Sequence, residues 1–178
     1  SQKTTKKVRY NLKDYFLRFY FTFIAPLERI LAQKQGHRTF REMIGDRWNP
    51  FLGKAFELIC SDHAELIAGA VGQKEVRDVG TYWQKPTQRK KGVQIDLLIE
   101  CDSQTLLLCE CKWSRQPVGI DAIHELKAKI ALFPNPKKQT VIPTLISAGG
   151  FTKEVQSDRS IERVSLGDLF RKPFSAIS

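Results

Sequence analysis

Three residues of chemically useful type stand inside the most apolar stretch of this sequence. Asp96 lies between Ile95 and Leu97, Glu110 between Cys109 and Cys111, and Lys112 two places further on. A carboxylate among aliphatic side chains is costly unless something pairs with it. Two carboxylates ~4 Å apart repel by roughly 4 kcal/mol at an effective dielectric of about 20. One lysine offsets part of that, and a divalent cation would offset more. Oxygen donors of this kind suit Mg²⁺ or Mn²⁺. Without chemistry, the same residues are an ion pair at a strand edge or a satisfied buried pair.

The elements that must position them read as a hairpin. VQIDLLIE (93–100) and TLLLCECK (105–112) are rich in Val, Ile and Leu, as strands packed on both faces are. Residues 101–104 make a connection of hairpin length, with Asp102 and Ser103 as turn formers. Side chains alternate along a strand, so Glu110 and Lys112 share one face and Cys109 and Cys111 the other. The two backbone positions are then about 6.6 Å apart. Asp96 falls across from the Glu110 side.

Asp followed by Glu-x-Lys on a second strand resembles the PD-(D/E)xK, or restriction-endonuclease-like, nuclease core, with Asp96, Glu110 and Lys112 as the matching residues. Its position on two apolar strands gives the pattern its specificity.

With 178 residues, 42% hydrophobic and 27% charged, the chain suffices for one domain with a real core and an appended segment. Lys and Arg number 29 against 19 Asp and Glu, a net charge of +10 with a pI near 9.6. Such an excess favours a polyanionic partner, nucleic acid first. No apolar run approaches the ~18 residues of a membrane span, and no h-region follows the basic start. The sequence opens on Ser, as a piece of a longer protein would. Cys60, Cys101, Cys109 and Cys111 form no CxxC pair and read as small hydrophobes in a reducing cytoplasm. His37, His63 and His124 are scattered, and no phosphate loop, dinucleotide fingerprint or nucleophile elbow is visible.

Along the chain, Asp14 caps a helix whose Tyr15, Phe16, Phe19, Tyr20 and Phe23 recur at helical spacing. They read as an aromatic core or interface face rather than a base-stacking platform. Pro26 should bend or interrupt this helix, which is expected to resume through Leu27, Ile30 and Leu31 until Gly36 stops it. A helical piece covers 39–45, and a helix starts at Asn49-Pro50. Then come a strand at 75–84, the basic loop KPTQRKKG, the hairpin, a helix at 120–133, a strand at 137–147, a glycine break, a short strand at 161–164 and a short helix at 166–170. This order predicts an α/β fold: a restriction-endonuclease-like core, a mixed sheet flanked by helices, preceded by an N-terminal helical segment.

The resemblance extends further. KKVRYNLKDYFLRFYFTFIAP, FLGKAFE, VGTYW, GVQIDLLIE and ECKW together resemble the C-terminal region of archaeal-type AAA ATPases. In those proteins a P-loop ATPase and a winged-helix segment precede a nuclease-like domain. The resemblance implies that 1–45 is the end of a winged-helix region and 46–178 the PD-(D/E)xK domain. It implies a Mg-dependent (or Mn-dependent) deoxyribonuclease, DNA as partner, and an ATPase domain in the same or another chain. Asp96 and Glu110 would be metal ligands. Glu57, on the helix before the hairpin, sits where that family places a further one; read alone, it is a solvated side chain. Lys112 would orient water. Arg89, Lys90 and Lys91, at the mouth of the site, would hold phosphates or simply be a solvated loop. The family usually carries Glu two positions before the Asp; here it is Gln94, which removes an outer ligand. The rival readings are a catalytically silent nucleic-acid-binding module and a protein-interaction domain docking to an ATPase through the aromatic helix.

Overall fold

A computed structural model describes residues 12–32, 40–88, 91–101 and 104–170. Two compact units result, Ser1–Phe51 and Leu52–Ser178. Among the described residues no helix is long and apolar enough to cross a membrane.

The first unit holds α1 (Tyr15–Phe19), a single π turn (Tyr20–Ile24), α2 (Ala25–Ala32), α3 (Phe40–Ile44) and a 3₁₀ turn (Gly45–Arg47). Asp14 caps α1 as expected, its carboxylate accepting from the Leu17 amide at 2.7 Å. Pro26 does not end the helix. Its ring and missing N–H would conflict with the carbonyl four residues earlier, that of Thr22. The π turn immediately before Pro26 loosens that step, and Arg47 Nη1 donates to the Thr22 carbonyl at 3.4 Å. Only part of the aromatic face is a core: Phe19 and Phe23 pack with Trp48 and Phe51, with ring centroids 5.5 Å apart for Phe19–Phe23, 5.0 Å for Phe23–Phe51 and 5.8 Å for the stacked Trp48–Phe51, while Tyr15 and Phe16 stay exposed. The stop at Gly36 lies outside the described residues.

α4 (Trp48–Asp62) begins at the boundary and runs into the second unit. It starts one residue before Asn49-Pro50, and Pro50 sits in the first turn, where no amide is needed. After His63 a second helix, α5 (Ala64–Ala70), follows. The second unit continues with β1 (Val76–Gln84), β2 (Val93–Cys101), β3 (Thr105–Lys112), α6 (Asp121–Leu132), β4 (Thr140–Ser147), α7 (Lys153–Ser157) and β5 (Glu162–Ser165), then the 3₁₀ turn Leu166–Phe170. The strands lie in the order β1-β2-β3-β4-β5. β1–β2 and β2–β3 are antiparallel; β3–β4 and β4–β5 are parallel. The parallel steps cross over through α6 and α7, as same-direction neighbours require. Pro143 is tolerated in β4 because pairing with β5 begins at Thr144, so its missing amide breaks no bond on that side. α7 is not among the elements expected from the sequence; Thr152 caps it, accepting from Val155 at 3.5 Å.

Each sheet face has its own core. Phe56 and Cys60 of α4 and Ile67 of α5 pack on Leu97, Ile99, Leu107, Cys109 and Ile146. Ile123 and Leu126 of α6 and Val155 of α7 pack on Val93, Ile95, Leu108 and Leu145. This is the mixed sheet with flanking helices that the order of elements in the sequence predicts.

Candidate active site

Ile95 and Leu97 belong to opposite cores although they are two residues apart. Strict alternation would put them on one face. The slip is a bulge: between the pairs Gly80↔Leu98 and Tyr82↔Ile95, β1 advances two residues and β2 three. Asp96 sits in it. The β2–β3 ladder also stops there, its last pair being Leu97↔Cys109, while β3 runs on against β4 to Lys112↔Ser147. The two strands part, and the Asp96 carboxylate enters the gap. Its Oδ2 accepts a hydrogen bond from the Cys111 backbone amide at 3.1 Å. A side chain has replaced the strand carbonyl that a continued ladder would have supplied.

Burial raises the Asp96 pKa above the ordinary aspartate value. The Cys111 amide counteracts this, the negative charge of Glu57 adds to it, and Lys129 and Lys54 oppose it. Asp96 therefore feels α4, which carries Glu57 and Lys54, and α6, which carries Lys129. Glu57 is itself ion-paired to Lys54.

Glu110 is 4% exposed and is held by two lysines. Lys112 Nζ lies 3.1 Å from its Oε1, and Lys129 Nζ donates to its Oε2. Lys112 also donates to Glu125 Oε2 at 2.6 Å. Burial lowers the Lys112 pKa, but the bonds to Glu125 and Glu110 outweigh it and the net shift is upward. Glu125, exposed, is lowered by its bond to Lys112.

The Asp96 carboxylate thus meets the β3 backbone between Glu110 and Lys112 where β2 and β3 part, with Glu57 in electrostatic contact with Asp96. Gln94 is exposed opposite Trp83. Lys91 is exposed; Arg89 and Lys90 lie outside the described residues. Sequence reasoning missed three members of the cluster: Lys54, Glu125 and Lys129. Lys129 left a signal, a lysine three places after Leu126 on the apolar stripe of α6, where a solvated face would not lie.

The fit to a metal is incomplete as the side chains stand. Among the described residues no three His, Cys, Asp or Glu side chains are grouped to hold a metal ion. Both oxygens of Glu110 are taken by ammonium groups. The cysteines are free thiols that serve the core. Burial pushes Cys109 up, and the bond to Cys60 followed by burial pushes Cys111 well up, so both stay protonated.

Residues 20–128, more than half of the chain, match DUF234, described as archaeal and bacterial proteins of unknown function. The chain belongs to this family. The DUF234 match takes in Glu57, Asp96, Glu110 and Lys112 and stops one residue short of Lys129. Among solved structures, protein VC1899 from Vibrio cholerae is similar with a TM-score of 0.50 and 13% identity, over 87% of this chain and 47% of that one. A repair endonuclease from Pyrococcus abyssi gives 0.41 and 14%, over 61% and 43%. The MspJI restriction endonuclease, in complex with a 27-mer oligonucleotide, gives 0.38 and 17%, over 82% and 29%. At these identities the likeness is one of fold. The chain spans less than half the length of each of the three. No curated protein sequence matches it.

Proposed function

We propose that this DUF234 chain is a divalent-metal-dependent nuclease that hydrolyses DNA phosphodiester bonds, with residues 46–178 as the nuclease-like domain. We further propose that residues 1–45 are the end of a winged-helix region, and that the chain works with an ATPase domain in the same or another chain. The observation that carries the reading is the Asp96 carboxylate seated in the gap between β2 and β3, bonded to the amide between Glu110 and Lys112.

Each residue has a role in that reading. Asp96 and Glu110, with Glu57 beside them, supply hard oxygen donors for Mg²⁺ or Mn²⁺. A bound ion of that kind would lower the pKa of water and neutralise phosphoryl oxygens. Lys112 keeps its proton, because two carboxylates hold it charged. Its ammonium orients a nucleophilic water and stabilises the charge that develops on the phosphate. The bond from Cys111 fixes Asp96 relative to Lys112, so the groups need little reorganisation. The +10 charge draws the polyanion toward the cleft.

The test is degradation of plasmid and linear DNA with Mg²⁺, Mn²⁺ or chelator. Metal-dependent cleavage that disappears in both Asp96→Ala and Glu110→Ala is the expected result. Salt-sensitive DNA binding without cleavage would instead mark a silent binding module, and neither property would leave a protein-interaction domain. If the wild type binds metal but cuts nothing, Gln94→Glu is the substitution to try.

A further inference from the structure

Glu110 is almost fully buried and carries two ammonium groups, one on each oxygen. The two lysines are not equivalent. Lys112 lies on the same strand as Glu110 and is also anchored to Glu125 at 2.6 Å. Lys129 comes from α6, donates to Glu110 and attracts Asp96 electrostatically. Its ammonium therefore serves both carboxylates that the proposed reading assigns to a divalent ion. The cluster sets four carboxylates, Glu57, Asp96, Glu110 and Glu125, against three lysines, Lys54, Lys112 and Lys129. Of the three, Lys129 is the one that both bonds Glu110 and acts electrostatically on Asp96.

We propose that Lys129 is the resident cation of the metal-free site, so that a divalent ion must displace its ammonium from Glu110 to bind. This rests on the nuclease reading and goes beyond it, because it makes metal affinity a competition with a residue on α6. A buried carboxylate needs a cation at all times. Lys129 supplies it before loading, which keeps Glu110 oriented. The released side chain is long, flexible and 27% exposed, so it can swing toward solvent without disturbing α6.

Mn²⁺ binding to the purified chain tests this, read by calorimetry and by loss of the free-Mn²⁺ electron paramagnetic resonance signal, without substrate. Lys129→Met removes the competitor and keeps the aliphatic stem. It should bind Mn²⁺ at least about tenfold more tightly than wild type, the factor that 1.4 kcal/mol represents. Lys129→Arg keeps the charge and grips a carboxylate with a planar fork, so it should bind Mn²⁺ more weakly than wild type. If Lys129→Met and wild type bind equally, Lys129 does not compete and the proposal is overturned while the metal site stands. Should Lys129→Met not fold, the arginine variant decides alone: binding equal to or tighter than wild type overturns the proposal. If wild type, methionine and arginine variants all fail to bind millimolar Mn²⁺, the nuclease reading and the proposal fall together.

Discussion

The Asp96 carboxylate accepts its hydrogen bond from the amide of Cys111, the residue that separates Glu110 from Lys112. One bond therefore ties the acidic side chain of β2 to the β3 backbone between Glu110 and Lys112, at the point where the two strands stop pairing.

The pH dependence of stability should carry the mark of Asp96. Its folded pKa is raised by burial above the ordinary aspartate value of 3.8. As pH climbs past that value the unfolded chain loses its proton first, so stability falls until the folded pKa is passed and stays lower above it. Asp96→Asn keeps an oxygen for the Cys111 amide and has no proton to lose. Below the ordinary aspartate range the two proteins should be alike, and above it the metal-free Asn variant should be the more stable. Urea unfolding across pH checks this; a wild type that gains on the variant with rising pH would contradict it.

Glu110→Ala should destabilise the metal-free protein. Two carboxylates and a single lysine, all that the sequence motif offers, would be relieved by removing either acid, but the structure gives Glu110 two cations. Breaking a buried pair costs ~3–5 kcal/mol. Lys112 and Lys129 are 29% and 27% exposed and rehydrate in part, so we expect about 2 kcal/mol. The midpoint of urea denaturation reads it out, and an unchanged midpoint would mean the pairs contribute nothing in solution.

Lys112→Ala should leave Mn²⁺ binding largely intact while slowing cleavage, because the role proposed for it is with water and phosphate. Glu125→Gln, at the exposed end of the same chain of ion pairs, should cost less than ~1 kcal/mol. The Glu125 pKa is lowered from the ordinary glutamate value of 4.5, so that small contribution is present above this value and disappears as pH falls through the folded pKa. Single-turnover cleavage and acid titration of stability separate the two.

Replacing Arg89, Lys90 and Lys91 by glutamine should weaken DNA binding and shrink its salt dependence, by about 0.9 in the log–log slope for each duplex phosphate no longer neutralised. Fluorescence anisotropy at several salt concentrations measures the slope. If it does not move, the binding face lies elsewhere.

Gly149→Ala should cost ~1–3 kcal/mol or more. A Cβ there would clash with the Ser114 carbonyl oxygen and lie 2.6 Å from that of Gln116. The segment after β3 packs directly on this glycine, and the neighbouring Ala148 amide donates to the Lys112 carbonyl at 3.1 Å. The substitution should therefore also disturb the end of β3 that carries Lys112. Thermal unfolding measures the destabilisation, and a near-neutral result would show that the loop simply moves away.

The hairpin, the helices on either side of it and the candidate trio were legible in the sequence by itself. Each is a local consequence of residue type and spacing. Apolar runs with turn formers between them make strands, a period near 3.6 makes α6, and an isolated charge in an aliphatic strand is conspicuous because burying it is costly. Tertiary structure alone decided how the charges are settled. The bulge at Asp96 arises from pairing with β1, a long-range match that periodicity along β2 does not encode. It turns Ile95 and Leu97 to opposite cores and frees the Asp96 carboxylate for the Cys111 amide. The parallel crossover through α6 then lays Lys129 over Glu110, nineteen residues away in sequence. A lysine's partner depends on which helix packs on which strand, and that is settled only when the sheet is assembled.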